Sequence, residues 1–404
     1  MWFVCKKLKF LRLIPVVFVA GFFCKISSGF ASTTVTVLAA STVLVSTVAD
    51  DDAVIFNGPP NGTLQIDTTK QLSSLTTAGV GIGNVDFTSV NTLTLTGIAG
   101  TSLNQINRIN FGSFDGTLNI KGTTASAALG IITGTDNVGN LVFSGTSAQI
   151  VDSSIGSASL SGGLKLKSIT VNNASGVTFS KNIYATTLTA NENVIISGTG
   201  TVNVGTASIA DSKTIALSNN AIFGSIETNV SGGLSFGANK ILTITGNITG
   251  TGVIESVADD TGALVFSGTS AQTVATDIGS SSLFRISSAT VNNSNGVTFS
   301  SDLHLNNFAV NESATINGSG VVDITLATIA NSKILTLSND ASIGSINSNN
   351  SGILNFAANK TVTVTGNIIG TGAITTSTSN TGALSFTGIT AQTVETKLEL
   401  AELN

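Results

Sequence analysis

The sequence predicts an all-β chain, a right-handed parallel β-helix (solenoid) built from tandem 120-residue units. Three observations predict it. The stretch Leu141–Val151, LVFSGTSAQIV, returns as LVFSGTSAQTV at Leu264–Val274 and as LSFTGITAQTV at Leu384–Val394. Apolar and polar residues alternate in short runs bounded by Gly, Asn, Ser or Asp, the period of strands with one face buried. Apolar stripes of helical period are missing from the body of the chain.

The repetition extends beyond that stretch. VNNASGVTFS (Val171–Ser180) becomes VNNSNGVTFS (Val291–Ser300), and SGGLSFGANKILTITGNITGTG (Ser231–Gly252) becomes SGILNFAANKTVTVTGNIIGTG (Ser351–Gly372), both at a shift of 120 residues. Such a shift marks tandem duplication, and tandem units stack into elongated arrays. The expected organisation is a signal peptide at 1–31, an N-terminal cap and decayed repeat at 32–140, and repeat units at 141–263 and 264–383. A truncated third unit with a divergent tail follows at 384–404.

Composition narrows the architecture. Of 404 residues only 10% are charged and 5% aromatic, while 41% are hydrophobic. The aliphatics are spread throughout, which excludes disorder. A transmembrane barrel needs aromatic girdles and longer strands, and one Tyr and one Trp cannot supply them. Separate sandwich domains would repeat near 100 residues. Stacked rungs of about 20–25 residues at about 4.8 Å spacing fit best, with five or six rungs in each unit. Like then lies over like, and only the two ends of the stack present open edges.

Taken in order, Lys6, Lys7, Lys9 and Arg12 precede an apolar core at Leu13–Phe23, and Gly29 and Ala31 stand before a cut between Ala31 and Ser32. That is the layout of a secretory leader. Both cysteines, Cys5 and Cys24, lie inside it, so the exported product is expected to be thiol-free. With Lys25, the leader holds five positive charges and no acid, and its removal shifts the net charge from −5 to −10. An acidic product argues against nucleic acid as a partner. Val35–Ala49 reads as a pair of strands, and Asp50–Asp52 with Asn57-Gly58-Pro59-Pro60 as a turn region. Leu118-Asn-Ile120-Lys-Gly122 resembles Leu242-Thr-Ile244-Thr-Gly246, the mark of an earlier unit. The tail Val394–Leu403 leaves the Gly/Ser/Asn idiom. It is the best helix candidate, and its divergence suggests a reading frame truncated or shifted near Glu395.

Chemistry is sparse. The single histidine, His304, sits where the sister unit has Tyr184, and Ser is too abundant to single out a nucleophile. Only Arg108 and Arg285 remain beyond the leader, too few for the basic clusters of a β-helical polysaccharide enzyme. Gly198-Thr-Gly200 and Gly250-Thr-Gly252 lack the third glycine and the helix of a phosphate loop. Ala78–Asp86 echoes a calcium-binding roll once only. The acidic Asp50–Asp52 reads as a solvated turn. No catalytic residue, cofactor, metal or small-molecule substrate is expected.

The dialect of GVGIGNVDF (Gly79–Phe87), VFSGTSAQTV (Val265–Val274) and ANKILTITGNI (Ala238–Ile248) resembles the rickettsial surface cell antigens, the outer membrane protein A/B group of autotransporter passengers. The resemblance covers Ser32–Val394. It implies export through the Sec translocon to the cell surface and a non-catalytic coat or adhesin. The implied partner is a host-cell surface receptor or another surface-layer protein. It also implies a C-terminal membrane barrel, and no barrel sequence follows here. The alternatives are an inert periplasmic relic of a split gene and a β-helical carbohydrate-active enzyme.

Overall fold

A computed structural model describes residues 33–399 apart from 102, 123–127, 159–163, 281–283 and 378–381. The leader and the expected cut between Ala31 and Ser32 lie outside the described residues. Parallel strands stack into a β-solenoid of about 17 turns, and among the described residues there is no α-helix. At about 4.8 Å per turn the stack is roughly 80 Å long.

Each turn follows from the alternation. Ile183–Ala190 is an eight-residue strand whose side chains alternate inward and outward, except that Thr186 and Thr187 both face outward. Two successive outward residues bend the strand, so it covers two sides of the rod. Val194–Ile196 covers the third. The next turn, Val202–Ile209, lies on Ile183–Ala190 in parallel register with the same bend. At this corner the backbones approach so closely that a Cβ on Gly224 would collide with the carbonyl oxygen of Gly205.

The interior is one continuous column system. Leu118, Leu141, Ile169, Leu188, Ala207 and Ile226 stack in register, each fully buried. Burying each large aliphatic side chain contributes about 1.5–3 kcal/mol, which explains how a fold without disulfides holds. Aromatic rings pair across neighbouring columns: Phe143 packs edge-on against Phe179 at 5.4 Å, and Phe266 against Phe299 at 5.2 Å. Leu118 lies beneath Leu141 as Leu242 lies beneath Leu264, the stacking counterpart of their sequence likeness.

The register reveals how the units are phased. Six stacking steps lead from Ile169 through Leu188, Ala207, Ile226, Ile248 and Val274 to Phe299. Yet the repeat counterpart of Ile169 is Ala289, one strand earlier. Each unit therefore falls one strand short of six turns, and successive units are rotated by one side of the rod. Corresponding wall positions of the two units face different directions.

Two expectations need correction. Turns are not uniformly 20–25 residues. Many are 19, as where Asn182 Oδ1 accepts Thr201 N–H, and the longest reach 28, as from Asn140 to Ser168. The tail is not helical where it is described. Lys397–Glu399 is a strand, with Leu398 stacked on Ile374. Leu398 thus occupies the place that Ile278 holds over Ile254. Register on an existing edge overrides the helical propensity of the local sequence. At the start, Thr34–Leu38 and Thr42–Leu44 are strands, followed by a short 3-10 turn at Val45–Thr47.

Candidate functional site

A cation stands on the wall at the same place in each unit. After Ser154–Ile155, and again after Asp277–Ile278, comes a glycine with positive φ, Gly156 or Gly279. Ser157 and Leu164 exchange backbone hydrogen bonds at 3.1 and 2.9 Å. Counterparts before this point in the sequence differ by 123 residues (Ile155 and Ile278) and after it by 120 (Leu164 and Phe284), so the first unit is three residues longer here.

That cation is Lys165 in the first unit and Arg285 in the second. In the second unit Arg285 donates from Nη2 to Asp323 Oδ2 at 2.6 Å and from Nη1 to Thr325 Oγ1 at 2.7 Å. His304 lies between them in the stack, one turn below Asp323. Its Nδ1 stands 3.8 Å from Asp323 Oδ2, is buried and makes no hydrogen bond. The side chains of Arg285, Asp323 and His304 are 22%, 26% and 12% exposed. Asp259 Oδ1 accepts the Arg285 backbone N–H at 2.9 Å. Exposed Phe284 borders the cluster.

The first unit has the same frame with different groups. Lys165 donates from Nζ to Asn203 Oδ1 at 2.9 Å, and Asp136 Oδ1 accepts the Lys165 backbone N–H at 2.8 Å. Tyr184 takes the place of His304 and is 8% exposed. Burial pushes the Lys165 ammonium below the ordinary lysine value, and the nearby Asp136 carboxylate opposes this. In both units the cation spans two turns to a polar side chain above.

This arrangement ties neighbouring turns together and lacks the order of a Ser-His-Asp relay. In the wall column the order is His304, Asp323, Ser342. The acid separates the imidazole from the hydroxyl, whereas a Ser-His-Asp relay needs the imidazole in the middle. The remaining sequence candidates lie elsewhere. Arg108 forms a two-pronged pair with Asp86 at 3.3 and 3.1 Å, far down the rod. In the Asp50–Asp52 turn, Asp52 accepts Thr33 N–H and Asp51 accepts Gln71 Nε2, both at 2.8 Å, while Asp50 pairs with Lys70 at 3.5 Å. Among the described residues no three His, Cys, Asp or Glu side chains gather as a metal site. Gly81 and Gly83 adopt positive φ in the turn before strand Asn84–Phe87. A groove on the wall lined by Ser313, Thr315, Ile334 and Thr336 holds no ionisable group.

Sequence reasoning singled out His304 and Tyr184 but missed their partners. The signal was present as a 19-residue spacing: residues 285, 304 and 323, like 165, 184 and 203, are one turn apart. Only the length of a turn turns that spacing into adjacency. Against family models, curated proteins and solved structures alike, the chain finds no match.

Proposed function

We propose that the chain is an exported, non-catalytic surface scaffold of the autotransporter-passenger type. Its work is to hold an outer wall at a distance from the cell and present it to a host-cell receptor or a neighbouring surface protein. The observation that carries this reading is the contrast between a filled interior and a wall whose polar groups change between units, from Lys165 on Asn203 to Arg285 on Asp323. The columns are packed with Phe, Leu, Ile and Val from one turn to the next, leaving contact to the outside of the rod. There the Phe284, Arg285, His304 group offers an aromatic surface beside a cation, a combination suited to protein recognition. The basic, apolar leader supports export.

The experiment is protease shaving of intact cells that express the full chain, with fractionation alongside. Fragments released before the envelope is opened are the expected result. A chain that stays uncut until the outer membrane is broken overturns surface display and favours the inert periplasmic reading. Adhesion of the same cells to host cells should fall when Phe284 and Arg285 are both replaced by Ala while surface display is unchanged.

A further inference from the structure

Gly198-Thr-Gly200, too short a motif for a phosphate loop, opens a groove midway along the rod. A Cβ on Gly198 would strike the carbonyl oxygen of Ser180, and one on Gly200 the backbone of Lys181. Only glycine lets this corner lie flat on the turn below. Two further corners stack on it. Asn219 Nδ2 donates to Gly200 O at 2.7 Å, and Asn220 Oδ1 accepts Ile241 N–H at 2.9 Å. Together the three corners line a groove of about 590 Å³, within the size range of small-molecule sites.

Three features of the lining point to a ligand. Asn219 is only 5% exposed, and its Oδ1 is buried with no donor from the chain. Leaving such an acceptor unmade is costly, and a hydroxyl brought from outside would satisfy it. Lys240 also lines the groove, beside no acidic lining residue, and forms no ion pair among the described residues. Ile222 and Ile241, 41% and 44% exposed, add an aliphatic flank. At a shift of 120 the second unit keeps the frame and loses the match. Asn339 donates to Gly320 O at 3.0 Å, and its Oδ1 again lacks a donor. Lys360 follows Lys240, but Asp340 replaces Asn220, while Ser342 and Thr361 replace the two isoleucines.

We propose that the first-unit groove binds an acidic saccharide, a sugar carrying a carboxylate, and that its second-unit counterpart does not. The carboxylate pairs with Lys240, a sugar hydroxyl donates to Asn219 Oδ1, and the C–H face of the ring lies on Ile222 and Ile241. In the second unit the Asp340 carboxylate repels the ligand's charge and the aliphatic flank is gone. The inference names a ligand and does not depend on where in the cell the protein acts.

The test is calorimetric titration of the full chain, at low salt, with trigalacturonate and separately with sialyllactose. Saturable binding of at least one is expected, with its uncharged counterpart, the methyl ester or lactose, about tenfold weaker for want of one charge-assisted contact. Lys240→Gln should weaken the acid about tenfold and leave the uncharged sugar unchanged, because both substitutions remove the same contact. Asn220→Asp, which copies the second unit, should weaken the acid, and Lys360→Gln should change nothing. Circular dichroism of each variant verifies that its strands persist. No saturable binding of either acid up to about 1 mM overturns the inference. So does an uncharged sugar that binds as tightly as its acid, or a loss from Lys360→Gln equal to that from Lys240→Gln. Displacement by acetate at the same carboxylate concentration overturns it too, since Lys240 would then take any anion.

Discussion

The two tandem units share an interior and differ on their walls. Phe179 and Phe299, Ile196 and Ile316, Leu217 and Leu337, Phe236 and Phe356 are counterparts at a shift of 120, and all are buried. At the same shift the wall changes from Lys165, Tyr184 and Asn203 to Arg285, His304 and Asp323. Where the first unit has a neutral amide receiving a lysine, the second has a mostly buried ion pair on the same frame. Because a unit falls one strand short of six turns, these two groups also face different sides of the rod. The stack fixes where a wall group stands and leaves its chemistry free.

The interior half of this comparison is tested by removing rings. Phe299 packs edge-on against both Phe266 and Phe308, whereas Phe179 meets Phe143 alone, Leu188 standing where Phe308 does. Phe299→Ala should cost about 3–5 kcal/mol and Phe179→Ala about 0.5–1.5 kcal/mol less, the value of one aromatic pair. Urea unfolding of the two variants measures the difference. Equal losses would mean that the rings act only through buried area.

Two buried glutamines come next. Gln149 Nε2 donates to Ile120 O and Gly122 O and its Oε1 accepts Asn173 Nδ2, and Gln272 makes the same bonds with Ile244, Gly246 and Asn293. Gln149→Leu and Gln272→Leu each remove these three bonds, at a cost of about 1–3 kcal/mol. Gln272 Oε1 also accepts Gly268 N–H at 3.1 Å, so Gln272→Leu should cost slightly more in urea unfolding. Equal losses would mean that the Gly268 bond adds nothing to stability.

The solenoid itself was legible in the sequence because every rung must bury apolar side chains on alternate positions, so the period-two runs survive in one dimension, while the 120-residue shift records duplication of a block of rungs. What could not be read was the length of each turn. Strand Ile183–Ala190 looks like two short runs, since Thr186 and Thr187 break the alternation, and only the bend joins them. Without the 19-residue turn, Arg285, His304 and Asp323 are three unrelated residues. The tail misled for the opposite reason: its Leu and Glu favour a helix locally, but Ile374 offers Leu398 a parallel edge.

On the wall, Asp323→Asn removes the charge that faces Arg285. The pair is about three-quarters buried, so the loss should fall between those of exposed and buried pairs, about 1–2 kcal/mol. Asn203→Leu in the first unit, which removes an uncharged acceptor from Lys165, should cost about 0.5–1.5 kcal/mol. Denaturant unfolding at low and high salt separates them further, since screening weakens the charged pair. If the order is reversed, the second wall group is held by Thr325 and the backbone and not by the ion pair.

The smallest effect concerns alkaline pH. Burial lowers the Lys165 ammonium below 10.5, so its folded value lies under its unfolded one, and the charged form disfavours the fold. As pH rises through the lowered folded value towards 10.5, the folded chain sheds this proton before the unfolded chain does. Stability contributed at this position therefore increases across that window. Arg285, which cannot be deprotonated, gives the second unit no such term. NMR titration of labelled lysine side chains should show one resonance, lost in Lys165→Arg, with a midpoint below 10.5. The alkaline gain in stability should vanish in the same variant. A midpoint at or above 10.5 would mean that the ammonium stays in water and that Asn203 is not its partner.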